Sequence, residues 1–558
     1  PDRMYFTRVE NKTTSIKNVF AKMAEEIEKS LKKDSLMESL ISAMEKEIKE
    51  NIYYQIVTQK LSKFGNDSAT GLRRVRHLGA VQVSCNPVIA ARAYEEFPNL
   101  WEDFRKVVKA HPEWFDDPEK FGDEIVIYAT IYSLLSSWLD FRPLFLLSNF
   151  QDGLVSYQLN PNVAANVENS VRDAVKIYSI LQEIFKKYDA HLMPGVDLEG
   201  KGRPNIVFKV AVCDPAAIDI TVTLNNMGIG TNNTVTYTVS QEVQLILAAM
   251  EGMAEALKAG IPITQIYETN MQGRLEDHLR EIEAERLLRE GLEMVEDKEE
   301  FLRKIAKEMG VLEYVEKADS LEKKISIICA RKLLKGLHLT FTPETPYIRG
   351  PLQTLTDPRF VNALKELYGS TKENIEELLS QIENDIHYAG VYVTRRVYKI
   401  FFSPENRPKW IAYLEKKYGV SRKEAEEIFS KIDLLPSSKR RGEDTYRTLG
   451  GETNLTNTEF PDHQSKVLDV SRQKGFRLSE FEKSIMEEPD AETLKRLLRI
   501  EDFRKAYEIT PELSQKLKEV GIEGDFGEGG IKPEELSLIH ISEPTRPLYI
   551  SYAVFCLK

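Results

Sequence analysis

Between residues 63 and 275, short strand-like runs alternate with helix-period stretches, and this alternation constrains the chain more than any other feature. The runs lie at residues 63–67, 80–85, 154–159, 206–212, 230–237 and 264–269. Consecutive strands separated by helices pair in parallel, because a parallel connection needs a long crossover. Two further runs, at 431–437 and 453–457, bring the set to eight. The expected fold is therefore α/β: a closed (β/α)8 TIM barrel with a helical N-terminal extension and a large helical insertion. The expected boundaries are an extension over 1–62, the first six strands over 63–275, an insertion over 276–384 and barrel completion over 385–520. Residues 14–62 read as two amphipathic helices. The insertion is rich in charged helices such as LREIEAERLLREGLEMVEDKEE, whose charge runs read as solvated faces. A Gly-rich acidic linker is expected over 521–536. Residues 537–558 (SLIHISEPTR-PLY-ISYAVFCLK) resemble a translated sequencing adapter and stand outside the fold.

Composition narrows the function class. The chain is 42% hydrophobic and 29% charged, which fits a globular protein and excludes a disordered or collagen-like one. A net charge of −12 speaks against nucleic-acid binding, which needs a basic footprint. Four cysteines without a CxxC pair give no zinc site and fit a reducing cytoplasm. The most apolar region, 124–150, is broken by Ser, Asp and Arg, so it reads as a buried helix and not a membrane span. The chain opens at Pro1 without a methionine, so its true start is left open.

The most informative residue is Lys209, alone in the apolar run NIVFKVAV. Lysine is rarely buried without a partner or a task. Desolvation favours a neutral amine, and a neutral amine attacks a ketone to form a Schiff base. The bland alternative is a lysine that snorkels to the rim or pairs with a carboxylate. Other polar residues interrupt neighbouring strands: Asp67 in FGND, Asn86 before Pro87, Gln158 in LVSYQLNP, and Asn232, Thr234 and Tyr237 in GIGTNNTVTYTVSQEV. Each alone is a capping or turn residue. Several at successive strand ends form a polar constellation around one pocket.

The order and wording of these strands resemble the transaldolase family, Schiff-base aldolases of the barrel type. VSCNPVI resembles the family's second-strand motif and carries Asn86; Asp67 stands 19 residues before it. NIVFKVAV resembles the lysine strand, GIGTNNTVTYTVSQ the next strand, and NMQGRLEDH the Gly-Arg motif. LLPSSKRRGE resembles the seventh-strand phosphate motif, with VYVTRRVYKIF as the intervening helix. The resemblance implies Lys209 as the Schiff-base lysine and Asp67 as the proton-handling acid. It implies Thr234 and Gln158 on the catalytic water, and Asn86 and Asn232 on the dihydroxyacetone fragment. Thr269, Arg274, Ser438 and Arg440 would bind substrate, the last three its phosphate. No metal and no cofactor are implied, and the partners are sugar phosphates, without nucleic acid or membrane. Oligomeric state is left open, a homo-oligomer included.

Departures from the family pattern divide the functional reading. The family's transaldolases place glutamate where this chain has Gln158, and a glutamine cannot accept a proton from water. They usually carry phenylalanine where this chain is read to have Tyr237. Fructose-6-phosphate aldolases pair glutamine with tyrosine, so Tyr237 becomes a candidate acid/base. The expected activity is transaldolase transfer of a dihydroxyacetone unit in the cytoplasmic, non-oxidative pentose phosphate pathway. The alternatives are fructose-6-phosphate aldolase chemistry or a non-catalytic barrel used as an assembly module. The Gly228-Ile229-Gly230 turn lacks a third glycine, so it is no dinucleotide loop, and neither GxxxxGK[ST] nor HExxH occurs.

Overall fold

The computed structural model describes residues 19–59, 63–67, 69, 76, 78–117, 120–160, 163–192, 194–195, 200–212, 214–329, 354–369, 374–436, 455–458 and 491–531. In chain order, α1 (Val19–Lys29), α2 (Leu36–Lys49) and α3 (Ile52–Thr58) precede β1 (Lys63–Asp67) and β2 (Ala80–Ser84). Four helices follow: α4 (Pro87–Glu96), α5 (Asn99–Lys109), α6 (Glu113–Asp116) and α7 (Gly122–Leu147). Strands and helices then alternate singly: β3 (Leu154–Gln158), α8 (Val167–Leu192), β4 (Ile206–Ala211), α9 (Ala216–Asn226), β5 (Gly230–Thr236), α10 (Val239–Lys258) and β6 (Ile266–Asn270). The long connection to β7 (Ile432–Leu434) holds α11 (Gln272–Leu292), α12 (Lys298–Met309), α13 (Leu312–Glu316), α14 (Leu321–Cys329), α15 (Pro358–Tyr368), α16 (Ile375–Ile386), α17 (Ala389–Phe402), α18 (Arg407–Tyr418) and α19 (Arg422–Ser430). After β8 (Leu455–Thr458) come α20 (Ala491–Leu497), α21 (Glu501–Tyr507) and α22 (Pro511–Val520).

The strands form one parallel sheet in the order β7-β6-β5-β4-β3-β2-β1-β8. Central strands such as IVFKVA are apolar on both sides, as parallel strands covered by helices must be. The sheet curls until its ends approach. Lys63 of β1 bonds Asp152 at 3.0 Å and reaches Asp433 of β7 at 3.8 Å. Asp433 also accepts from Gln265 Nε2 at 2.7 Å. This is an α/β fold of the TIM-barrel kind, and the expected strands recur with small shifts. Thr264, expected inside β6, lies before it, because its hydroxyl is committed to the Gly228 carbonyl at 2.6 Å.

Three helices, not two, occupy the described part of 14–62. Asn51 divides the run: its side chain accepts from Tyr53 N and starts α3, which buries Ile52, Tyr53 and Ile56. The apolar stretch 124–150 becomes α7, packed on the barrel through Leu134, Trp138 and Phe141. Arg142 inside α7 is buried, but its guanidinium forks onto Asp189 of α8, with Nε to Oδ1 at 2.9 Å. Among the described residues no helix is long and apolar enough to cross a membrane.

The solvated-face reading fails for the start of α11. Glu276, Asp277, Arg280, Glu281 and Glu283 are all buried there. Arg280 Nε donates to both oxygens of Glu383 at 3.0 and 2.9 Å, and Nη1 donates to Asp277 at 3.1 Å. A charged run can be buried when its counter-charges arrive from a helix remote in sequence, here α16. The helix VYVTRRVYKIF is α17, and α18 and α19 stand between it and β7. Residues 521–531, expected as the start of a linker, fold back onto α21. Ile522 and Ile531 are buried, and Gly529 N donates to Glu508 at 2.8 Å.

Candidate active site

Parallel register sets the key residues side by side. Gln158 of β3 lies opposite Lys209 of β4, and Lys209 lies opposite Asn232 of β5. All three are buried: Lys209 is 8% exposed, Gln158 8% and Asn232 0%. Lys209 Nζ donates to Ser84 Oγ of β2 at 3.2 Å, across the strand between them.

Beside the lysine runs a belt of hydrogen bonds through four strands. Gln82 Nε2 and Asn232 Nδ2 both donate to Ser156 Oγ, at 3.0 and 2.8 Å. Thr269 Oγ1 donates to Asn232 Oδ1 at 2.6 Å. The Asn232 amide is thereby fixed at both ends, which sets its remaining N–H direction. Gly65 makes room for this belt: a Cβ there would lie 2.2 Å from Gln82 Oε1.

Asn86 follows β2 and caps α4, with Oδ1 accepting from Ile89 N at 2.9 Å. Its Nδ2 is not used by the cap. Thr234 is buried near the end of β5, and its carbonyl accepts from Val212 N at 2.8 Å. The next residue, Val235, has φ 68°, inside a register shift against β6. A β-branched residue in the left-handed region is strained, and such bulges re-aim side chains at strand ends. Arg274 is half-buried in the first turn of α11, just beyond β6. Asp67 is the last residue of β1, with its backbone opposite Ser84. Ser438 and Arg440 lie outside the described residues.

The ring of Tyr237 belongs to the apolar cluster that also holds Val239, Val243, Leu275 and Leu279. Burial there pushes its phenol pKa well above the ordinary 10.

Sequence reasoning missed Ser84, Ser156 and Gln82. Each stands two residues from a residue it had singled out or from another belt member: Gln82, Ser84 and Asn86 alternate, as do Ser156 and Gln158. Period-2 spacing along a strand puts such residues on one face.

Behind β5 and β6 lies a second polar layer, against α10. Glu242 and Glu268 are both 0% exposed. Asn270 Nδ2 donates to Glu242, and Asn233 Nδ2 donates to Glu268 at 2.5 Å. Thr221 Oγ1 donates to Asn233 Oδ1 at 3.0 Å. Burial raises the Glu242 carboxyl to about 8. It raises Glu268 well above its ordinary 4.5, with the Glu242 charge adding to the effect. The Glu242 carboxyl is therefore mostly protonated when the protein is folded at neutral pH.

Among the described residues no cluster of three or more His, Cys, Asp or Glu side chains is arranged to hold a metal ion. A comparison with curated proteins finds no match. Residues 66–307, the stretch that carries β2 to β6 and most of this site, match the model of the Transaldolase/Fructose-6-phosphate aldolase family.

Proposed function

We propose that the protein transfers a dihydroxyacetone unit between sugar phosphates through a Schiff base on Lys209. The observation that carries this reading is a buried lysine amine on a neutral hydroxyl, flanked in register by Gln158 and Asn232. Lys209 Nζ adds to the ketone carbon of a ketose phosphate. Loss of water from the carbinolamine leaves an iminium ion. Asp67 takes the proton of the hydroxyl on the far carbon of the bond to be broken, which becomes the aldehyde. The carbon–carbon bond cleaves, its electrons pass to the iminium nitrogen, and an aldose phosphate leaves. The enamine then attacks a second aldose phosphate, and water releases the new ketose from Lys209.

The other residues position and shield. Gln158 and Thr234 hold the water, Asn86 and Asn232 meet the hydroxyls of the three-carbon fragment, and Thr269 keeps Asn232 oriented. Arg274, with Ser438 and Arg440, meets the phosphate, because an arginine fork suits a dianion. The same reading takes 63–275 with 385–520 as one closed barrel, with 1–62 as an extension and 276–384 as an insertion, working in the cytoplasm.

Gln158 favours a second reading, an aldolase that releases free dihydroxyacetone. A glutamine holds water but takes no proton from it, which alters the hydrolytic half of the cycle. The two readings separate in one assay. Fructose 6-phosphate is supplied with and without erythrose 4-phosphate. A transferase turns over only with the acceptor; an aldolase liberates dihydroxyacetone without it. Activity in neither arm rules out both.

A further inference from the structure

Helix α2 (Leu36–Lys49) is 14 residues long, yet only Ala43 in it is buried. Leu36, Met37, Ile41 and Met44 are 56%, 68%, 58% and 44% exposed. They are four of the nine large apolar side chains that stand exposed among the described residues, and the other five are scattered. A helix this short is marginal in water without packing. At 100° per residue, the exposed Met37, Ile41 and Met44 fall within an arc of about 60°, the seam of a helix pair, and Ile48 at the C-terminal end of that arc packs on the core. The neighbouring flank, through Ala43 and the half-buried Leu40 and Glu47, faces the body of the protein.

We infer that α2 is the interface through which two copies of this chain pair antiparallel about a two-fold axis. The charges select that occupant. Glu38 and Lys49 lie on the same exposed flank of the seam, at opposite ends of the helix. A two-fold axis across the helix brings like flanks together, N-terminal end against C-terminal end. It pairs Ile41 of each copy with Met44 of the other and brings each Glu38 beside the second copy's Lys49. Lys49 already holds Glu45 of its own helix at 2.5 Å, so the second copy's Glu38 would complete a three-member ion cluster. An anionic lipid surface fits poorly, because membrane-lying helices carry basic flanks. Here the exposed Glu38 and Glu45 balance the exposed Lys46 and Lys49, so the helix has no basic excess. One helix from each copy is a small contact, so the dimer is a reversible one in the micromolar range.

Sedimentation velocity of the full chain, from about 1 to 100 µM, tests this. The expected result is a concentration-dependent monomer–dimer equilibrium. Ile41→Glu should stay monomeric throughout, with circular dichroism and melting temperature unchanged. Glu38→Lys should weaken the dimer at least about tenfold by setting two lysines together, and Glu38→Lys/Lys49→Glu should recover it. A wild-type chain that is monomeric at the top concentration overturns the proposal. So does a dimer indifferent to Ile41→Glu, a double variant that fails to recover, or a monomer that floats with phosphatidylserine vesicles.

Discussion

Replacing Glu242 by glutamine should make the protein more stable, by an amount that grows with pH. Glu242 is wholly buried between α10 and the β5–β6 face. Its neighbours there are Asn270, which donates to it, and the second acid, Glu268. No lysine, arginine or histidine contributes to the shift of either carboxyl. Its pKa stands at about 8 when folded, against an ordinary 4.5. A raised folded pKa means that the folded state binds the proton more tightly than the unfolded chain. The stabilisation is complete below about pH 4.5 and is lost as pH climbs through about 8. One tenfold step in proton affinity is worth about 1.4 kcal/mol, so the wild type has lost about 3 kcal/mol by pH 7. Glutamine keeps the shape and the carbonyl that accepts from Asn270, but it has no proton to lose. Chemical denaturation at pH 5, 6, 7 and 8 should show the variant pulling ahead of the wild type over that range. Parallel stability curves for the two proteins would refute a buried, protonated Glu242.

Three other outcomes follow from the same geometry. Ser156→Ala removes the acceptor shared by Gln82 and Asn232. Turnover should fall about tenfold with little change in melting temperature, because the Asn232 amide loses its anchor; steady-state kinetics on fructose 6-phosphate checks it. Tyr237→Phe should keep most of the activity, since its ring sits in the apolar helix cluster and burial holds the phenol neutral; a loss beyond about a hundredfold would make it the acid/base instead. Arg280→Met strands the buried carboxylates of Asp277 and Glu383. Urea unfolding should show a loss of about 3–5 kcal/mol, the cost of breaking one side of a buried pair.

The sheet was largely legible because parallel strands covered on both faces read as short apolar runs bounded by turn residues. Lys209 was legible for the same reason: a polar residue in such a run is conspicuous, whereas Asn232 stands in the polar run GTNNTVT and its role was reached through the resemblance. Ser84, Ser156 and Gln82 were not legible, because small polar residues are common in strands and only their partners across the barrel give them meaning. Tyr237, expected at the end of β5, lies one residue beyond Thr236, past the bulge at Val235 that breaks the alternation a strand reading assumes. The buried charges of α11 were hidden by distance along the chain, since Arg280 and Glu383 are 103 residues apart. The third N-terminal helix turned on a single cap, Asn51.

The central claim is a covalent one: Lys209 carries the substrate. Incubation with fructose 6-phosphate and sodium borohydride, followed by peptide mass mapping, tests it most directly. The account predicts a reduced three-carbon adduct on the peptide containing Lys209, absent from Lys209→Ala and absent without sugar. A chain that turns over substrate yet forms no adduct, or forms it on another lysine, contradicts it.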